Sequence, residues 1–163
     1  MQKKLLLIIP ILFFLNINEL KVISYNIRYN NSNDGINTWE NRRSTIKNFI
    51  VDENPDFAGL QEVTYSQLIF LTESLKDYDY IGVGRDDGKT KGEFSPIFYN
   101  NNKYKVLSDD TFWLSSTPEK VSIGWDASME RICTYGLFEN VDTKQRLWAV
   151  SYTHLTLPTT SFV

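Results

Sequence analysis

The alternation of apolar and polar positions begins in earnest at residue 20. Across 20–27, Leu20, Val22 and Ser24 fall on one side and Ile23, Tyr25 and Ile27 on the other. Both sets are largely apolar, which predicts an interior strand covered on both faces. Asn26 and Arg28 project at its carboxyl end. A polar loop with an Asp34-Gly35 turn signal follows. Thr38 then stands where it would cap a helix carrying Trp39, Ile46 and Ile50 on one side and stopping before Pro55. Phe57, Ala58 and Leu60 form a short apolar run after the turn at Asn54-Pro55-Asp56. It reads as a second buried strand, although periodicity alone does not separate it from a piece of helix. It ends abruptly in Gln61-Glu62. Thr64 and Gln67 match a capping box, leading into an amphipathic helix on Leu68, Leu71 and Leu75. Residues 78–83 are a third strand candidate. Strand, helix, strand, helix predicts a sheet with helical cover.

Beyond residue 93 the pattern changes to antiparallel hairpins. Segments 94–99 and 104–113 flank the turn-rich 100–103, and segments 131–138 and 145–149 flank a turn at 140–144. Between them, 114–130 is a long loop with Pro118, Gly124 and Trp125.

The length of 163 residues suits one domain, and 42% hydrophobic with 14% aromatic residues is enough for a core. A formal charge of −3 with no basic block argues against a tight duplex binder. A phosphate-ester substrate would need a bound cation to offset the repulsion. Cys133 is alone, so no internal disulfide forms, and its strand position favours a buried, inert thiol.

Both ends stand apart from this pattern. Lys3 and Lys4 precede an almost wholly apolar run over 5–15, broken by Pro10. That looks like an export signal and is too short to span a bilayer comfortably. Residues 1–19 are therefore expected to be a signal peptide and the protein to be exported, periplasmic or secreted, with the cleavage site open. A first buried strand is the alternative, disfavoured by its length. At the other end, 150–159 resembles the translated product of a transposase-type sequencing-library adapter, with an index supplying 160–162 and a fixed segment ending in Val163. Segment 150–163 is set aside from fold reasoning, the only histidine, His154, included. Residues 20–149 are then expected to be a truncated domain.

The chemistry-bearing candidates sit at strand ends. In sheets covered by helices, reactive groups gather outside the carboxyl ends of strands, and Asn26 and Glu62 are both placed there. A solvated loop glutamate is the plain alternative for Glu62 alone. A hard cation such as Mg²⁺ takes oxygen ligands and keeps several waters, so one carboxylate plus an amide oxygen is a reasonable protein share. Arg28, two residues past Asn26 on the same side of an extended segment, offers a guanidinium suited to phosphate. The stretch 84–90 mimics a phosphate-binding loop but has the wrong glycine spacing and leads into a strand rather than a helix.

Taken in order, Ser24-Tyr25-Asn26-Ile27-Arg28, Leu60-Gln61-Glu62-Val63 and Glu93-Phe94-Ser95-Pro96-Ile97-Phe98-Tyr99 resemble the endonuclease/exonuclease/phosphatase (DNase I-like) superfamily, in particular its exported, uncharacterised bacterial branch. The resemblance implies an α/β (α+β) fold: the N-terminal half of a four-layer α/β/β/α sandwich with mixed sheets, truncated. It implies a metal-dependent phosphoesterase using Mg²⁺, with Mn²⁺ or Ca²⁺ as substitutes. Residue by residue, it gives Asn26 a phosphate-binding and metal-organising role, Glu62 the metal, and Arg28 the substrate backbone. It makes Glu93 the second acidic residue, which orients a catalytic histidine, and Arg131 a further phosphate-binding arginine. A strand-start charge and a surface ion pair are the ordinary alternatives for Glu93 and Arg131.

The departures from the family are specific. Its histidine belongs in an Asn-Thr-His-Leu setting, and here Tyr152-Thr153-His154-Leu155 falls in the adapter-like string. Its Gly-Asp-Phe-Asn segment and final Asp-His pair do not occur in the sequence. The expectation is an inactive fragment with one core face exposed. A nucleic acid, a phospholipid head group or a sugar phosphate all remain open as substrate, because loops 85–92 and 114–130 carry no readable code. A non-catalytic domain that binds a phosphorylated ligand or a protein is the alternative function.

Overall fold

The computed structural model describes residues 19–153. The expected signal peptide lies outside them but for Glu19, as do His154 and the rest of the tail. Strand β1 (Val22–Asn26) leads through a 3₁₀ turn at Gly35–Asn37 to helix α1 (Trp39–Glu53). Strand β2 (Phe57–Gln61), helix α2 (Tyr65–Ser74) and strand β3 (Tyr78–Ile81) follow. Then come β4 (Ile97–Asn100), β5 (Tyr104–Trp113), β6 (Ile132–Asn140) and β7 (Arg146–Tyr152).

Two sheets form. The first is mixed, in the order β1-β2-β4-β3, with β1 parallel to β2 and the other pairings antiparallel. The second is antiparallel, in the order β5-β6-β7. The side-chain period of two divides β2 between two cores. Ala58 and Leu60 join Trp39, Ile46 and Ile50 of α1 and Leu68 and Leu71 of α2 on the helix side. Phe57 faces the other way, with Ile97, Tyr99, Tyr104 and Phe138 between the sheets. Its ring lies 4.7 Å from Tyr104 and 4.9 Å from Phe138. Burial on both faces is why this strand reads as a continuous apolar run. The result is helices, mixed sheet and antiparallel sheet in three layers, the fold class the sequence implied. Among the described residues no helix covers the outer face of the second sheet, where Trp148, Val150 and Tyr152 are exposed.

The helix boundaries follow local chemistry. Asn54 ends α1 in the left-handed conformation, with its N–H donating to the Ile50 carbonyl. The Gln67 side chain accepts the Thr64 N–H at 2.9 Å, the reach-back half of a capping box, and donates to the Arg28 carbonyl at 2.9 Å. That second bond ties α2 to the loop after β1.

Three expectations need correction. Thr38 occupies the cap position of α1, but its hydroxyl makes no capping bond. Strand β1 is not interior: among the described residues it pairs only with β2, and Val22 is 60% exposed. Its set Leu20, Val22 and Ser24 borders an open cleft instead of a packed layer. Strands β4 and β5 are not a hairpin. The turn at 100–103 carries the chain from the first sheet to the second, where β5 pairs with β6. All four residues of β4 are buried, so it sits between β2 and β3 and has no free edge to offer β5. The β6–β7 hairpin does form, and β7 runs to Tyr152, with Thr153 donating its N–H to the Ile132 carbonyl.

Candidate metal and phosphate site

All five predicted site residues lie at one end of the sandwich. Parallel pairing of β1 and β2 puts Asn26 beside Gln61, so Asn26 at the end of β1 and Glu62 just past β2 meet over the same rim. The Asn26 amide nitrogen donates to a Glu62 oxygen at 2.8 Å. The other Glu62 oxygen accepts the Tyr29 N–H at 3.4 Å. Each Glu62 oxygen thus takes one donor from the β1 side and keeps a lone pair. Glu62 has φ +59 and Arg28 has φ +57, both in the left-handed region that non-glycine residues avoid. Two such residues side by side are the kind of strain that collects at functional sites.

Asn26 takes a different share from the one expected. Its side-chain oxygen accepts the Arg28 N–H at 2.9 Å while its nitrogen serves Glu62. Both ends of the amide are therefore engaged, and Asn26 orients the carboxylate. Arg28 also departs from expectation, because the chain is not extended there. Its left-handed turn sends the guanidinium to Asp34, with Nε and Nη2 each 2.6 Å from a carboxylate oxygen. That fork holds Arg28 above the ordinary arginine range and Asp34 below the ordinary carboxylate one. Arg28 does not line the cleft.

Glu93 and Arg131 do line it, together with Asn26 and Glu62, in a cleft of about 740 Å³ that runs on between the two sheets. Burial pushes the half-buried Glu93 carboxyl upward. Arg85 and Arg131 pull it down, and Glu62 and Asp86 push it further up. Arg131 makes no ion pair among the described residues, which leaves its guanidinium available to an anion. On the floor, Gln61 donates to the Ser151 hydroxyl at 3.4 Å, and Ser151 lies 3.3 Å from Ser95. Among the described residues no cluster of three or more His, Cys, Asp or Glu side chains forms. The donor set suits a hard cation held by one carboxylate and water. Asp34, Arg85, Ser95 and Ser151 are not predicted as site residues from sequence: Asp34 reads as a turn signal, Ser95 as part of a motif, and Arg85 as a charge inside a glycine-bounded loop.

A mixed sheet under helices, facing an antiparallel sheet with the carboxylate at the strand ends, defines a DNase I-like fold. An endonuclease/exonuclease/phosphatase of Bacteroides vulgatus is 43% identical, with a TM-score of 0.80 over 82% of this chain and 51% of that one. A mannosyl-6-phosphatase of Bacteroides thetaiotaomicron is 42% identical, with a TM-score of 0.79 over 81% of this chain and 50% of its own. An uncharacterized protein of Acanthamoeba polyphaga mimivirus is 31% identical over 138 residues, 79% of this chain and 52% of that protein. No family model matches the sequence. Over the residues these matches cover, the chain is similar to proteins of the endonuclease/exonuclease/phosphatase family at 42–43% identity. It spans about half the length of the relatives it matches.

Proposed function

We propose that the parent protein is a Mg²⁺-dependent phosphoesterase and that this half of it carries the metal and phosphate side of the site. The observation that carries the reading is the 2.8 Å contact between Asn26 and Glu62 at the rim of a cleft shared with Arg131. Glu62 would hold the cation, which when bound supplies charge to a phosphoryl oxygen and its leaving group. Asn26 and the Tyr29 N–H fix the carboxylate, Arg131 binds the phosphate, and Glu93 adds a second acid at the wall. A sugar phosphate is the favoured substrate, because a relative of 42% identity is a mannosyl-6-phosphatase. Residues 19–153 contain no histidine to serve as a base, so we infer that they bind without turnover.

Calorimetry with Mg²⁺, then with mannose 6-phosphate in its presence, tests the site. The wild type is expected to bind both, and Glu62→Ala to lose at least tenfold in metal affinity. Equal metal affinity in the two proteins would falsify the assignment. A hydrolysis assay on the same chain is expected to read zero; turnover abolished by Glu62→Ala would overturn the inference of binding alone.

A further inference from the structure

We propose that Arg85 is the positioning residue for Glu93, aiming that carboxylate into the cleft from a loop built for the purpose. The inference rests on the phosphoesterase reading for why Glu93 needs such a holder. Arg85 is nine-tenths buried, and its Nη1 donates to Glu93 at 2.8 Å. The same two residues also pair through the backbone, the Arg85 N–H donating to the Glu93 carbonyl at 3.1 Å. The Arg85 carbonyl in turn accepts the indole N–H of buried Trp113 at 2.7 Å. The Arg85 backbone is thus tied to β5 through Trp113, and its guanidinium to Glu93.

The loop is closed on itself around this pair. Gly84 donates to the Lys89 carbonyl and Asp86 to the Lys91 carbonyl, while Asp87 accepts the N–H groups of Lys89 and Lys91. A side chain at Gly84 would strike the Lys91 backbone, and Gly92, at φ +78, has the Asp86 carboxylate where its Cβ would be. Such closure leaves Arg85 little room to move. A guanidinium offers five donors, yet buried Arg85 Nε makes no hydrogen bond among the described residues, its ionic neighbour Asp86 standing off at 3.5 Å. Buried unpaired donors are rare and usually mark a functional compromise. Here an arginine is kept in a place that does not satisfy it, and its shortest side-chain contact is with the wall of the cleft.

Four charged groups bear on Glu93: Arg85 and Arg131 favour its ionised form, and Glu62 and Asp86 oppose it. Arg85 is the only one bonded to it, so removing Arg85 shifts the balance most. The test is ¹³C NMR titration of the Glu93 carboxyl in this chain. Arg85→Gln and Arg85→Met are each expected to raise its midpoint by at least one pH unit, a tenfold change in protonation, and Arg85→Lys by less than half as much. A midpoint unmoved in whichever variant folds overturns the proposal, since loss of a merely structural arginine would lower stability without touching Glu93. The wild type gives an independent reading: the Arg85 guanidinium ¹⁵N signals are expected to titrate with the Glu93 midpoint, and their indifference to it overturns the pairing. Neither measurement uses metal or phosphate, so a failure of the phosphoesterase reading shows in the binding experiments, and a failure of this one shows here.

Discussion

The two ends of the sandwich are built to different standards. At the end away from the site, polar groups are matched. Asp56 is buried and accepts both the Lys21 N–H and the Lys103 ammonium at 2.8 Å. Glu139 lies between Lys105 at 3.0 Å and Arg146 at 2.9 Å. Asn100 and Asn140 close their turns with their own side chains. At the site end, Arg28 and Glu62 are held in left-handed backbone, Arg85 has a buried donor with no hydrogen bond among the described residues, and burial pushes the Glu93 carboxyl upward. Polar groups are matched where the chain only has to turn and left less well matched where it has to present side chains. The contrast teaches that stability is concentrated at one end and spent at the other.

The sharpest way to break this contrast is at Asp56, which links the start of the first sheet to the crossover into the second. Asp56→Ala leaves the part-buried Lys21 N–H and the half-exposed Lys103 ammonium without their acceptor, and is expected to cost about 1–3 kcal/mol in urea unfolding. Glu93→Gln is expected to raise stability at pH 7, because Gln mimics the protonated form and keeps an oxygen for Arg85. If both substitutions destabilise alike, the two ends do not differ.

A second comparison lies within the site. Arg28 is already forked onto Asp34, whereas Arg131 has no ionic partner among the described residues. Phosphate affinity in Mg²⁺ is therefore expected to fall about tenfold in Arg131→Ala, the loss of one charge-assisted contact, and to stay within about twofold in Arg28→Ala by the same reasoning. The opposite order would show that phosphate displaces Asp34.

The carboxylates at the two ends should also respond to pH with opposite signs. Hydrogen bonds from Lys105 and Arg146 hold Glu139 below the ordinary 4.5. Its contribution is present above that value and is lost as pH falls through its lower folded one. Burial holds Glu93 above 4.5, so the stability tied to it is present below that value and is lost as pH rises through its higher folded one. Unfolding free energies measured from pH 3 to 7 are expected to fall less steeply on the acid side in Glu139→Gln, and less steeply toward neutrality in Glu93→Gln.

How much of this was legible in the sequence depends on how local each feature is. The stripe Trp39, Ile46 and Ile50 named the buried face of α1, and the burst of polarity at Gln61-Glu62 marked the end of β2, because neighbours in sequence carry that information. The turn at 100–103 misled, since Asn100 and Lys103 use the same turn chemistry whether the chain returns within a sheet or crosses to another. What decides is that both faces of β4 are buried between β2 and β3. The Arg28–Asp34 fork spans a loop and bends the arginine away from the extended path its spacing implied. Arg85 looks like one charge among several in a polar loop. Its meaning appears only when Glu93, eight residues on, folds back against it.

The smallest test returns to backbone strain. Left-handed residues are not confined to the site: Lys144, in the β6–β7 turn, has φ +61. It differs from Arg28 and Glu62 in what its side chain does, since its ammonium reaches only the Val141 carbonyl three residues back. Nothing is presented by holding a lysine there, so the strain is incidental. Glycine meets this conformation without the Cβ clash but adds unfolded-state entropy, and the two terms leave a net gain of about 0.5 kcal/mol for Lys144→Gly. Glu62→Gly relieves the same clash at the site and is expected to gain a similar amount of stability while removing the metal-binding carboxylate. Thermal unfolding of the pair, read beside Mg²⁺ calorimetry, separates strain that serves a side chain from strain that does not. If Glu62→Gly lost stability instead, the left-handed turn there would be held by the Asn26 and Tyr29 bonds rather than maintained against its own cost.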